Sequence, residues 1–380
     1  MLRNNRKVKG ENHHFDTTKN GKEIKDAKDD VKKETPPCKM KVWILASRPH
    51  TLTASIVPVL VSVALILHHQ STTTTTRNSQ YSEYYLGFCF ATFACLIQLG
   101  TNLYNDYSDF IKGADTEDRV GQARATQKGW LTPYETAFGS TFCLVLATVL
   151  GLYLTFLASS WSNAMDYYMI FVTISSVFNA FCYTGGEYPL GYIGCGNLSI
   201  GYSGLGDIFV FLYFGVVATI TVPYLYLVQE QQMQPEQENV WKSELMYQAL
   251  LISIPIGWLA TAIITVNNLR DRETDVLVGK NTMAVRFGAA FTRLEYTILV
   301  IGSYISLIPL SQILSPNENS NNGNLYLPLL SFPLAMKELK AVGFGGKDGA
   351  ALNPHVGGVA KVQLLFCLLW IVGLTLSHTL

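Results

Sequence analysis

Residues 246–266 read MYQALLISIPIGWLATAIITV and are followed at once by NNLRDRETD, residues 267–275. An uncharged run of this kind suits an α-helix crossing the hydrocarbon layer of a bilayer, which takes about 20 residues at 1.5 Å each. The abrupt change to amides, acids and arginines marks where such a helix leaves the lipid. Outward from this stretch the same grammar recurs. Apolar runs cover 50–68, 84–104, 136–157, 167–184, 205–228, 291–314, 325–336 and 362–379, and the one at 325–336 is short and broken by Pro328 and Pro333. A soluble core accounts for one or two such runs; nine in series call for lipid. The predicted fold is all-α, a polytopic membrane protein of about nine transmembrane helices.

The composition agrees. Of 380 residues 49% are hydrophobic and only 15% charged, against roughly 25% charged in an average soluble domain. The 28 basic and 28 acidic residues cancel, which leaves no basic excess for a nucleic-acid partner. The seven cysteines (Cys38, Cys89, Cys95, Cys143, Cys182, Cys195 and Cys367) form no CxxC pair and mostly sit in apolar runs, so they read as small buried hydrophobes rather than a zinc site or disulfide framework. Residues 1–41 are polar and charged with almost no large apolar side chains; they are expected to form a disordered tail ahead of a membrane domain over 42–380. The tail shows neither an apolar signal region nor the acid-poor composition of a transit peptide, leaving plastid and endomembrane both open.

Charge also predicts orientation. With the tail inside, the loops at 105–135, 185–204, 267–290 and 337–361 share its side and carry most of the lysine and arginine; the opposite loops hold only Arg77 and Lys242. By the positive-inside rule the tail and both acidic segments face the cytoplasmic-equivalent side. The Asn197 sequon then lies inside and carries no glycan. The threonine run 72–76 and the Asn-rich stretch 317–324 read as outer turns without chemistry.

Two charged constellations remain, each closing a span. The first is Asn102-Leu-Tyr-Asn105-Asp106-Tyr-Ser-Asp109, then Lys112-Gly113-Ala-Asp115, with Arg119, Arg124 and Lys128 following. The second is Asn267-Asn268-Leu-Arg270-Asp271-Arg-Glu273-Thr-Asp275, then Gly279-Lys280 and Arg286. Helical spacings of three and four put Asp106 with Asp109, and Asp271 with Asp275, on shared faces. Paired carboxylates repel unless a cation lies between them, and Mg²⁺ characteristically takes one or two protein carboxylates together with phosphate oxygens. The trailing bases could grip those oxygens, arginine in a bidentate fork. A charged turn at a helix exit explains one such cluster; two of one design on one face point to function. The chemistry that fits is a diphosphate ester carried on a lipid tail. The metal would neutralise the leaving group, and Tyr104, Tyr107 or Tyr183 could shield an allylic cation, although for any one of them ordinary packing or a place in the interface belt is the simpler reading. An ion-coupled transporter using the same carboxylates is the alternative from another class, although transporters place such sites near the bilayer midplane. A prenyl-lipid binding protein without catalysis is a third, against which the complete acid sets argue.

At these residues the chain resembles the UbiA superfamily of intramembrane prenyltransferases. Asn102–Asp109 with Gly113-Ala-Asp115 and Arg119 is similar to that family's first acidic motif, and Asn267–Asp275 with Gly279-Lys280-Asn-Thr-Met-Ala-Val-Arg286 to its second. The wording is closest to the 1,4-dihydroxy-2-naphthoate prenyltransferases of menaquinone and phylloquinone synthesis. Tyr183-Thr-Gly-Gly186, Pro189–Tyr192, Gly204-Leu-Gly-Asp207, Leu352-Asn-Pro354 and Ala360–Gln363 extend the likeness over about 42–380. The resemblance implies that Asp106, Asp109, Asp271 and Asp275 bind Mg²⁺ and diphosphate. It adds Asn102, Asn105, Asp115, Tyr183 and Asn267 to the substrate site and Lys112, Arg119, Arg124, Lys280 and Arg286 as phosphate contacts, with Lys280 counted among the catalytic set. It implies further a nine-helix bundle open to lipid, a prenyl diphosphate donor, dihydroxynaphthoate as acceptor, and loss of the acceptor's carboxyl; a different aromatic or quinone acceptor is the runner-up. Three departures stand out. Gly113 occupies the position of a commoner third acid, displaced here to Asp115 as in naphthoate-type members. Glu187 and the long stretch Ile193–Ser203 are also unusual.

Overall fold

The computed structural model describes residues 37–72, 81–113, 120–121, 124–162, 164–185, 199–233, 239–314 and 322–377. The tail up to 36, Asp115, Arg119, Glu187, Asn197 and the threonine run from 73 lie outside the described residues, which contain helices and no strand. A short helix α1 (Lys39–Ser47) starts three residues inside the stretch expected to be tail and leads to α2 (Pro49–Thr72), α3 (Glu83–Ile111), α4 (Pro133–Ser162) and α5 (Tyr167–Cys182). Next, α6 comprises Gly206–Val210, a π-helical segment Phe211–Val217, and Ala218–Met233; α7 is Glu244–Leu277. Helices α8 (Met283–Ile305) and α9 (Leu307–Leu314) form one span, Met283–Leu314. Then come α10 (Phe332–Glu338) and α11 (Asn353–Leu376).

Among the described residues seven helices are long and apolar enough to cross a membrane, and α5 is a shorter apolar one. The expected span at 325–336 is no uniform helix. The chain there is 3-10 over Asn322–Ser331, α over α10 and π over Leu339–Phe344. Pro328 and Pro333 each withhold a backbone N–H, which disfavours one continuous α-helix.

Helix starts are marked by side chains that accept the otherwise unsatisfied N–H groups of the first turn: Ser82, Asp166, Ser243 and Thr282 cap α3, α5, α7 and α8. The outward face of α4 leaves Phe138, Phe142, Val149, Leu152 and Phe156 exposed, a stripe that only lipid would cover favourably. Helix α7 occupies the middle, with 67% of its apolar window buried against 39% for α4. It touches α2, α6, α8 and α11. Where α6 turns π-helical it meets α7 by backbone: a Cβ on Gly215 would lie 2.5 Å from the Gly257 Cα.

Length places the site. With 34 residues α7 is about 51 Å long, and α3 with 29 is about 44 Å, both beyond the roughly 30 Å of hydrocarbon. Their last turns therefore project past the apolar layer, and those turns carry the acids.

Candidate active site

The C-terminal turns of α3 and α7 converge on one cavity of about 550 Å³. Asp106, Asp109, Asp271 and Asp275 all line it, with Asn102, Asn105, Arg124, Tyr183, Asn267 and Lys280. Its deeper wall is apolar and aromatic, including Ile97, Phe209, Tyr213, Phe214 and Ile263. Acids separated by more than 160 positions in the chain thus share one chamber.

Asp106 and Asp109 are buried, at 1% and 2% exposure, which requires partners for their charge. Arg124 reaches both, with its Nε 3.4 Å from the Asp106 carboxylate and its Nη1 2.6 Å from that of Asp109. The same Nη1 also donates to the Asn105 carbonyl at 3.2 Å. Arg48 donates to Asp106 from the elbow between α1 and α2, where the chain adopts a left-handed φ of 50°. The Tyr202 hydroxyl donates to Asp109 at 3.0 Å. Asn102 fastens that elbow to α3, its amide donating to the Ser47 carbonyl and Thr51 hydroxyl, each at 3.0 Å. Asn105 accepts from the Thr184 hydroxyl.

In the second cluster Arg270 grips Asp271 with two bonds, of 2.7 and 2.6 Å, and donates to the Asn267 side chain at 2.7 Å. Lys280 joins the clusters: its Nζ is 3.6 Å from Asp109 and 3.8 Å from Asp275. It returns to the cavity because its backbone N–H donates to the Asp275 carbonyl in a turn through Gly279, whose φ of 74° suits glycine.

Two expected phosphate contacts lie elsewhere. Lys112 is outside the cavity lining, donating to the Thr184 carbonyl and sitting 4.6 Å from the Tyr202 ring centre. Arg286 is exposed and donates to the Asn281 carbonyl at 3.0 Å. Burial lowers the pKa of Lys112; nearby Asp109 opposes this and Lys280 adds to it. Burial raises the phenols of Tyr183 and Tyr202, and surrounding carboxylates raise them further, foremost Asp207 for Tyr183 and Asp109 for Tyr202, so both remain neutral donors.

Sequence reading missed Arg48 and Tyr202. Arg48 stands just before Pro49 at the start of a span, where a lone base reads as an interface anchor. Tyr202 sits in the stretch before Gly204, where spacing relates it to neither cluster.

The donor set suits magnesium. Among the described residues no three acidic, histidine or cysteine side chains form a ready metal cage. Mg²⁺ in phosphate sites needs only one or two carboxylates and takes its remaining oxygens from substrate and water. Each helix end offers two such carboxylates, now neutralised by arginine and lysine.

Comparison with known proteins gives a consistent result. Residues 55–336 match the UbiA prenyltransferase family. The chain is 30% identical to 1,4-dihydroxy-2-naphthoate octaprenyltransferase of Escherichia coli over 89% of its length and 96% of that protein. The corresponding protein of Haemophilus influenzae is 29% identical over 89% of this chain and 97% of its own. UbiA prenyltransferase domain-containing protein 1 of Rattus norvegicus is 26% identical over 88% of this chain and 83% of its own. A solved chain described as digeranylgeranylglyceryl phosphate synthase aligns at 15% identity with a TM-score of 0.47, over 90% of this chain and 99% of that one.

Proposed function

Because the chain belongs to the UbiA prenyltransferase family, we propose that this membrane-embedded prenyltransferase transfers the prenyl group of a prenyl diphosphate to 1,4-dihydroxy-2-naphthoate, with Mg²⁺ and with loss of the acceptor's carboxyl. The observation that carries the reading is Lys280, whose single ammonium lies within 4 Å of carboxylates from both clusters. A diphosphate entering there meets cations and carboxylates from two helix ends at once.

Magnesium bound by Asp106, Asp109, Asp271 and Asp275 would neutralise the diphosphate and ease its departure. The protein's own residues do the rest. Arg48, Arg124 and Lys280 supply positive charge where the leaving oxygens develop negative charge, aimed in advance and therefore needing no reorganisation. The apolar wall around Phe209, Tyr213 and Phe214 holds the hydrocarbon tail and keeps water from the allylic cation, whose charge aromatic faces such as Tyr183 can offset. The prenyl carbon exchanges its bond to a diphosphate oxygen for one to a ring carbon, and the ring gives up its carboxyl as carbon dioxide. Electrons balance without an oxidant.

The names of the Escherichia coli and Haemophilus influenzae relatives support the naphthoate acceptor. The concentration of lysine and arginine in the loops on the side of the acids supports a cytoplasmic-equivalent orientation. Membranes containing the protein should be supplied with dihydroxynaphthoate or another aromatic acid, each with phytyl, geranylgeranyl or longer diphosphates, and the products weighed. A prenylated naphthoquinol lacking the mass of the carboxyl is expected only with dihydroxynaphthoate. Transfer to another ring in preference would replace the acceptor while leaving the prenyltransferase standing.

A further inference from the structure

Tyr202 is a side chain that groups from both clusters touch. It is 6% exposed and lines the cavity. Its ring lies 4.6 Å from the ammonium of Lys112, which follows the first cluster, and 5.0 Å from that of Lys280, which follows the second. Its hydroxyl donates to Asp109, and its backbone carbonyl accepts from the Asn281 N–H at 2.9 Å. The adjoining Gly201 N–H donates to the Tyr183 carbonyl at 2.7 Å. The segment 199–204 is therefore wedged between the end of α5 and the turn after α7.

A leucine or phenylalanine would fill such a space as well. The polar and π contacts demand more than filling. Lys112 and Lys280 carry like charge, and the electron-rich ring is a neutral group that attracts both, while Asp109 offsets the charge of Lys280. We propose that Tyr202 is a positioning residue that keeps the two acidic clusters in register around the donor's diphosphate. Its ring stations Lys280 between Asp109 and Asp275 with Lys112 behind, and its hydroxyl fixes Asp109. This rests on the reading of the cavity as a diphosphate site.

The test uses the full-length protein in lipid nanodiscs, with inorganic pyrophosphate as binding probe and steady-state transfer as the second readout. Tyr202→Leu should weaken pyrophosphate binding and raise the donor KM about tenfold, the order expected for loss of a partly desolvated cation–π contact. Tyr202→Phe keeps the ring, so it should hold the donor KM nearer to wild type and lower kcat through Asp109. Phenylalanines carrying none, one, two and three ring fluorines at 202 preserve shape while draining π density, and pyrophosphate affinity should fall stepwise along the series. That series decides the matter should Tyr202→Leu not fold. A flat series, or Tyr202→Leu binding pyrophosphate as tightly as wild type, overturns the role of Tyr202. Lys280→Ala separates the two levels: if it weakens pyrophosphate binding while Tyr202→Leu does not, only the positioning role is lost. If Lys280→Ala also leaves binding unchanged, the diphosphate reading itself falls.

Discussion

Arg124→Ala removes the cation that serves both acids of the first cluster. Breaking a buried ion pair by deleting one partner costs about 3–5 kcal/mol. Asp106 retains Arg48, and Asp109 retains Tyr202 and Lys280, so the loss should be roughly half of that, about 2 kcal/mol. For a chain of this size, each kcal/mol moves the melting temperature by about 2 °C, so Arg124→Ala should melt a few degrees lower without metal. Two carboxylates left facing each other gain from any cation between them. Added Mg²⁺ should therefore raise the melting temperature of Arg124→Ala more than that of wild type. Activity goes the other way: loss of a preorganised cation at the leaving oxygens should cost about a hundredfold in kcat even in saturating Mg²⁺. Arg124→Lys, which restores charge without the fork, should recover stability better than rate. Melting curves with and without Mg²⁺, paired with transfer assays, check all three. Equal Mg²⁺ stabilisation of wild type and Arg124→Ala would refute the idea that this arginine occupies the place of a cation.

Asp106→Ala and Asp271→Ala should each reduce transfer by about a thousandfold or more while leaving a monodisperse folded protein, since removing one metal-binding carboxylate disables leaving-group stabilisation; full activity in either would end the assignment. Arg48→Ala should raise the donor KM about tenfold, the usual worth of a charge-assisted bond, and increase hydrogen exchange over 39–48; unchanged exchange would mean that Arg48 does not hold the elbow. Burial lowers the pKa of Lys112 in the folded protein, so between that lowered value and its ordinary one the unfolded chain binds more protons. Stability should accordingly rise with pH across that window, and Lys112→Met should flatten the rise. Chemical denaturation followed as the pH rises toward the ordinary lysine value of about 10.4 reads it; an identical slope in the two proteins would refute it.

What could be read in advance is what a single helix dictates. The runs closing at Asn102–Asp109 and Asn267–Asp275 announce both the span and the shared face, because apolar length and three-to-four spacing are local properties. The break at 322–344 was signalled by Pro328 and Pro333. The π-helical segment of α6 was not, since it accompanies a backbone approach of Gly215 to Gly257, and no local pattern reports a contact 42 positions away. The site divides in the same way. Asp106 and Asp109 could be paired from their spacing, but their cations could not. Arg48 comes from 58 positions before Asp106, and the Tyr202 hydroxyl from 93 after Asp109. Proximity in sequence does not decide which bases line the cavity. Lys112 and Arg286 follow the acids closely, yet the chain carries Lys112 around Ile111 to the Thr184 carbonyl, and Arg286 bonds its own turn. Lys280 differs from them in one respect: the Gly279 turn and its hydrogen bond to Asp275 bring it back over the helix that it has just left. A base trailing an acidic helix end belongs to the site when the turn between them reverses the chain, and local turn chemistry therefore tells more about phosphate contacts than distance in sequence does.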